Sequence, residues 1–198
     1  MASTVARADR ESTKTRILDV AERLAQVRGF NGFSYADIAP VLGVTKASLH
    51  YHFPGKAELG EALITRYSVR FSEALDEIDA TVPTALGKLD AYAGLYTEVL
   101  RDDRMCLCGM LAAEYETLPD PMRTQIVGFF DRNQRWLTAV MEEGRADGSM
   151  HFSGAADDGA RTILGGLEGA MLVARPFGDA ARFEAVAQRL ITSLTGAG

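Results

Sequence analysis

Residues 34–56 read SYADIAPVLGVTKASLHYHFPGK, two short helical patterns on either side of a tight turn. Ser34 is a good N-cap. Asp37 lies in the first turn beyond it, where a carboxylate meets the positive end of the helix. Ile38, Val41 and Leu42 give this helix an apolar face. Pro40 removes one backbone hydrogen bond from it, normally a cost of about 3 kcal/mol in a helix interior. Gly43 suits the left-handed residue that ends a helix. Thr45 caps the second helix, and Val44 and Leu49 have the spacing of a hydrophobic staple across that cap. Phe53 falls one turn beyond Leu49 on the same inward face.

With Leu49 and Phe53 inward, Lys46, Ala47, His50 and Tyr51 must face out, with Ser48 at the edge. This set is small or hydrogen-bonding, has one fixed cation and contains no acid. A solvated helix face normally mixes both charges. A cation in the first turn opposes the helix dipole, so Lys46 is not there for helix stability. The composition suits a helix lying in the DNA major groove with its first turn against base edges. A helical hairpin that only packs a core is the competing reading.

The same run resembles the recognition helix and following helix of the tetracycline-repressor (TetR) family. The family pattern is a Gly-Val-Ser/Thr-Lys turn, then Tyr/His-Tyr-His/Tyr-Phe, then a Lys opening the next helix. It is carried here by Gly43, Val44, Thr45, Lys46, Tyr51, His52, Phe53 and Lys56. His50 stands where many relatives carry Tyr; both reach a phosphate, and His adds charge below neutrality. The resemblance implies an all-α homodimer with an N-terminal helix-turn-helix head and a body that takes a small-molecule effector. It also implies a dimer interface built from the last two helices of each subunit.

Charge agrees with a DNA-facing head. The 198-residue chain has a net charge of −6. Up to Lys56 it holds eight Lys/Arg against five Asp/Glu, a net of +3, and the remainder holds 13 against 22. A basic head on an acidic body makes the head the phosphate-facing end. No signal-peptide core and no apolar run of bilayer length is present, so a cytoplasmic location and no membrane partner are expected. Two cysteines separated by one residue do not form a secreted disulfide framework.

Along the chain, residues 1–11 read as a loose polar arm whose Arg7 and Arg10 can track a phosphate backbone. A helix from Ser12 to Arg28 ends at Gly29. Helical periods then recur over about 56–80, 83–101, 106–118, 121–145, 155–174 and from Asp179 onward, with no alternation that suits a strand. The reading is all-α, about nine helices, with a DNA-binding domain over 1–55 and an effector-binding and dimerisation domain over 56–198. The helix opening at Lys56 carries Leu59, Leu63, Ile64, Tyr67, Phe71, Leu75 and Ile78 as one stripe and is expected to connect the two mechanically. Lys56 itself is expected beside a phosphate.

In the body, Cys106 would fall in the first turn of its helix if Asp102 or Asp103 caps it. Arg101 and Arg104 would then lower its thiol pKa and make it an electrophile or oxidant sensor. The alternative is that Cys106 and Cys108 are small core residues. Glu114 is a candidate ligand-orienting acid, weighed against a surface carboxylate. Phe71, Tyr92, Tyr96, Met110, Phe130, Trp136 and Met171 are further candidates to line an effector cavity. Gly165, Gly166 and Gly169 place small residues where a second helix can approach closely. With Phe183, Leu190 and Leu194 they form the expected dimer face. The DNA-binding set is Ser34, Thr45, Lys46, Ala47, Ser48, His50, Tyr51, His52 and Lys56.

No cofactor, metal site or enzyme is expected, because the sequence shows no phosphate loop, nucleophile elbow or HExxH pair. The function read from the sequence is a DNA-binding transcriptional repressor released from double-stranded operator DNA by a small-molecule effector. A thiol sensor or small-molecule-binding protein without DNA function is the alternative.

Overall fold

The computed structural model describes residues 2–195, and side chains for 12–195. Nine α-helices follow one another among these residues: α1 Ala2–Arg28, α2 Tyr35–Leu42, α3 Lys46–His52, α4 Lys56–Thr81, α5 Ala85–Arg101, α6 Leu107–Ala113, α7 Asp120–Ala146, α8 Ala156–Ala174 and α9 Ala180–Thr192. Short 3-10 turns occupy Tyr115–Thr117 and Arg175–Phe177. No strand occurs among the described residues; one isolated bridge joins His151 to Thr195. The all-α reading is what the structure shows.

Three local expectations change. The leading arm is helical: with no Gly or Pro before Gly29, nothing interrupts α1, which starts at Ala2. The side chains of Arg7 and Arg10 lie outside the described residues. α2 runs through Pro40, because one missing hydrogen bond near the end of a capped helix is tolerable. Val41 is exposed rather than inward; Tyr35, Ile38 and Ala39 make the buried face. The expected helix over 106–118 is split into α6 and the 3-10 turn that follows it.

The chain divides into two compact units. The head unit runs up to Tyr67 and also takes Leu107–Ile126; the body unit is Ser68–Cys106 together with Val127 onward. The domain boundary read from the sequence at 55/56 therefore differs from this division. In the head unit, α1 buries Ile17, Ala21 and Ala25, against a core that includes Phe30, Phe33, Ile38, Leu49 and Phe53. Arg66 on α4 bonds Asp19 at 2.7 Å and the buried Glu22 at 2.8 Å, both on α1. Gly60 leaves room for Met122: a Cβ there would stand 2.5 Å from the Met122 sulfur.

In the body unit, α5, α8 and α9 pack on one another. Gly166 on α8 makes the α8–α9 approach possible, since a Cβ there would lie 2.7 Å from Leu190 Cδ1. Tyr92, Tyr96, Phe129 and Phe183 are among the largest fully buried side chains.

Candidate nucleic-acid interface and effector body

Two caps set the geometry of the interface. Ser34 and Asp37 form a capping box: Asp37 Oδ2 accepts from the Ser34 backbone N–H at 2.8 Å. Those hydrogen bonds hold the Asp37 carboxyl below its ordinary pKa, aided by Arg28 at 3.2 Å. Gly43 takes φ +67°, which turns the chain into α3. Thr45 Oγ1 accepts from the Ser48 N–H at 3.2 Å and starts α3. Leu49 is fully buried and Phe53 nearly so, which fixes the roll of α3.

The opposite face follows from that roll. Lys46, Ala47, His50 and Tyr51 are exposed, and Ser48 and His52 are half-buried. Tyr51 is 65% exposed, with its ring edge-on to that of His52 at 5.4 Å between centroids. His50 packs its ring 4.7 Å from Tyr35 and places Nδ1 3.0 Å from the Pro54 carbonyl. That contact orients the imidazole with Nδ1–H donating, leaving Nε2 as the outward nitrogen. Tyr35 in turn donates to the carbonyls of Phe53 and Gly55 at 2.8 Å, tying the end of α3 to the start of α4.

Lys56 is not on this face. Its ammonium donates to the carbonyls of Phe30 and Phe33 and sits 4.6 and 4.5 Å from the centroids of their rings. It closes the turn after α1, and burial pulls its pKa down. Ser34 is exposed, with its hydroxyl engaged in the capping box.

Glu114 is neither a ligand group nor a free surface carboxylate. It accepts from the backbone N–H groups of Phe30 at 2.5 Å and Asn31 at 3.1 Å. Asn31 Nδ2 adds a bond to Thr117 Oγ1 at 2.7 Å. Gly29, at φ +81°, is needed there: a Cβ would stand 2.9 Å from Glu114 Oε1. The turn after a helix leaves donors unpaired, and the sequence does not show that a carboxylate more than 80 residues later fills them.

Of the candidate cavity residues, the structure gathers Phe71, Tyr92, Tyr96, Cys106, Trp136 and Met171 in the body unit. Phe71 meets Tyr92, Tyr96 and Phe129 edge-on at 6.0, 6.2 and 5.1 Å between centroids. Trp136 stacks on Tyr92 at 5.5 Å and donates to Asp79 at 2.8 Å. Phe130 joins through Phe129 at 5.4 Å. Met110 and Glu114 belong to the head unit. Two polar members were missed: Asn133, whose Oδ1 accepts from Tyr92 at 3.0 Å, and Glu168, whose pKa burial raises. Glu168 is the one acid in an otherwise apolar and small-residue run, GGLEGAMLVA, and that was the available signal.

Cys106 is buried and is the residue before α6, which starts at Leu107, so it does not lie in the first turn of that helix. Of the two arginines expected near it, Arg101 pairs with Glu184 and Arg104 with Asp102, each at 2.8 Å. The Cys106 backbone N–H points to Met171 Sδ at 3.1 Å. Cys106 and Cys108 are both free thiols.

On the expected dimer face, Gly165 and Gly169 have nothing within 4 Å of a Cβ position. Gly166 is covered by Leu190 of the same chain. Phe183 and Leu194 are buried, Phe183 against Tyr96, so they belong to the protomer's own core. The exposed apolar residues that share the Gly165–Gly169 face are Leu172 and Val173, with Val186 exposed on α9.

Among the described residues no helix is long and apolar enough to cross a membrane, and no cluster could hold a metal ion.

Comparison with known proteins places these features. The family model for bacterial regulatory proteins of the tetR family matches residues 17–63, and that for the tetracyclin repressor-like C-terminal domain matches 85–190. A TetR-family transcriptional regulator from Agrobacterium tumefaciens, solved by crystallography, is 34% identical and superposes with a TM-score of 0.91 over 94% of this chain and 100% of that one. The transcriptional regulator AcuR of Cereibacter sphaeroides is 29% identical over 153 residues, 75% of this chain and 69% of its own. The HTH-type transcriptional repressor DhaR of a Mycobacterium species is 25% identical over 165 residues, 82% of each chain.

Proposed function

Since the chain belongs to the TetR family of bacterial regulatory proteins and is a ligand-responsive DNA-binding regulator, we propose that it acts as a cytoplasmic homodimeric repressor that reads a two-fold-symmetric operator through α3. The observation that carries this reading is the outward face of α3: Lys46, Ala47, His50 and Tyr51 exposed, no acid among them, over a fully buried Leu49. Lys46 and Tyr51 hold the phosphate backbone. Thr45, Ala47, Ser48 and His50 meet base edges or the sugar-phosphate wall of the groove.

Dimerisation supplies the second half-site. Gly165, Gly169, Leu172 and Val173 lie on one face of α8, and an exposed apolar strip beside open glycines suits a second copy of the same helix.

The test is a gel shift and footprint on the DNA upstream of genes adjacent to the chain's own. A protected palindrome with half-sites about one DNA turn apart, or a multiple of it, is expected. Sedimentation should give a dimer at micromolar concentration, and Val173→Asp should give a monomer with weakened operator binding. A monomeric wild-type protein that still protects a single asymmetric site would overturn the proposal.

A further inference from the structure

The turn between α3 and α4 presents three carbonyls in succession, and two side chains take all three. Tyr35 Oη reaches those of Phe53 and Gly55, each at 2.8 Å. His50 Nδ1 lies 3.0 Å from the Pro54 carbonyl between them. A carbonyl oxygen only accepts, so Nδ1 carries the hydrogen. A ring turned over would set a carbon against that oxygen and forfeit the bond. The face of the imidazole is held as well, with its centroid 4.7 Å from that of the buried Tyr35 ring. One contact at the ring edge and one at its face therefore fix both the direction of His50 and its tautomer.

The consequence falls on Nε2. His50 is exposed, on the face of α3 that carries Lys46, Ala47 and Tyr51. Nδ1 points back to the turn, and Nε2 makes no hydrogen bond among the described residues. A neutral imidazole has one N–H, and here Nδ1 holds it. Nε2 is then a bare lone pair, an acceptor that cannot donate. DNA answers such a group selectively. Phosphate oxygens only accept. In the major groove guanine offers N7 and O6 and thymine offers O4, all of them acceptors. The donors there are the exocyclic amino groups, N6 of adenine and N4 of cytosine.

We propose that His50 is a specificity-determining residue whose Nε2 accepts a hydrogen bond from the amino group of an adenine or cytosine in each half-site, and so rejects guanine and thymine at that position of the contacted strand. The inference rests on the reading that α3 enters the major groove. It assigns His50 to a base edge and takes it off the phosphate wall. Lys46, one turn earlier, can only donate, so the two side chains address opposite kinds of group. Tyr35 is a positioning residue, acting on the base only through the imidazole it holds.

The experiment selects bound duplexes from a randomised double-stranded pool at about pH 8, where an imidazole is neutral. It uses the wild-type protein, His50→Ala and His50→Phe, the second keeping a ring against Tyr35. In the wild-type selection one position per half-site should admit adenine or cytosine on one strand and disfavour guanine and thymine there by about tenfold. Both variants should lose that exclusion and keep the preferences at other positions. The selected duplex is then remade with purine for that adenine, or pyrimidin-2-one for that cytosine, which removes only the amino group. Relative to His50→Ala on the same pair of duplexes, wild type should lose about fivefold more affinity, the worth of one hydrogen bond. Nitrogen-15 NMR of the free protein should show the His50 hydrogen on Nδ1, and the Nε2 resonance should move when the selected duplex binds.

A hydrogen on Nε2, equal losses in wild type and His50→Ala when the amino group is removed, or a uniform weakening of both variants across all duplexes overturns the proposal; the last is the mark of a phosphate contact. A specific operator whose base preferences are the same in wild type and both variants refutes this inference alone. No specific duplex recovered by the wild type refutes the operator reading and this inference together.

Discussion

The helices α3 and α8 both carry polar groups that do nothing for the helix itself, and they carry them in opposite directions. On α3 the polar residues face out and Leu49 and Phe53 face in, so the roll of the helix is set by burial alone. On α8 the exposed face is Gly165, Gly169, Leu172 and Val173, whereas the acid Glu168 sends its carboxyl into the protein. Polar groups that face out remain available for a partner. Polar groups that face in must be satisfied by one another: Asn133, Tyr92 and Tyr96 are, while Glu168 Oε1 has no hydrogen-bond partner.

The strongest way to break the contrast is to remove the inward side of α3. Leu49→Ala should cost about 2–5 kcal/mol, because a fully buried leucine leaves a cavity. Chemical denaturation should show it, and operator binding should be lost along with the fold of the head. If Leu49→Ala is as stable as wild type, the roll of α3 is not set by burial.

The inward acid of α8 comes next, through pH. Its folded-state pKa is raised from the ordinary 4.5 to about 7. Below pH 4.5 both folded and unfolded chains hold the proton, and this contribution to stability is complete. Between 4.5 and 7 the unfolded chain releases the proton and the folded chain keeps it, so stability falls as pH rises. The loss is about 1.4 kcal/mol for each unit over that window. Glu168→Gln cannot ionise, so its melting temperature should gain on wild type from pH 4.5 to pH 7. Parallel curves for the two proteins would show that burial does not hold the proton on Glu168.

Glu114 tests an inward group of a different kind, in the head unit. Glu114→Ala strips the bonds to the Phe30 and Asn31 N–H groups and should cost about 1–3 kcal/mol. Glu114→Gln, which keeps an acceptor oxygen, should recover part of it. An Ala variant with unchanged stability would mean that water replaces the carboxylate at no cost.

The two lysines of the motif sharpen the outward side. Lys46→Ala should weaken operator binding, lower the slope of log affinity against log salt by about one, and leave the melting temperature unchanged. Lys56→Ala should do the reverse: a fall of about 1–3 kcal/mol in stability with the salt slope intact, since its ammonium is spent on two carbonyls. Tyr51→Phe should give the smallest effect, about 0.5–1.5 kcal/mol in operator binding with no change in folding. A salt slope that falls in Lys56→Ala would return that residue to the DNA face.

The amino-acid sequence alone determined the elements and the displayed face. Caps, breakers and a 3.6-residue period are local, so Ser34, Gly43, Thr45 and the Leu49–Phe53 pair could be read without knowing what they pack against. The same locality explains the errors. Lys56 stands in a position that its motif associates with phosphate, but its reach to the Phe30 and Phe33 carbonyls depends on how α1 closes onto α4. Glu114 looked like a surface or ligand acid, because its donors lie in a turn far away in the chain. Phe183 and Leu194 fit an interface by type, and only the packing of α9 on its own protomer shows them buried. The hydrogen bonds of Tyr92 to Asn133 and to Tyr96 join side chains of two helices, α5 and α7. No period in the sequence encodes them, because hydrogen bonding between helices is fixed by distance and angle after the helices have packed.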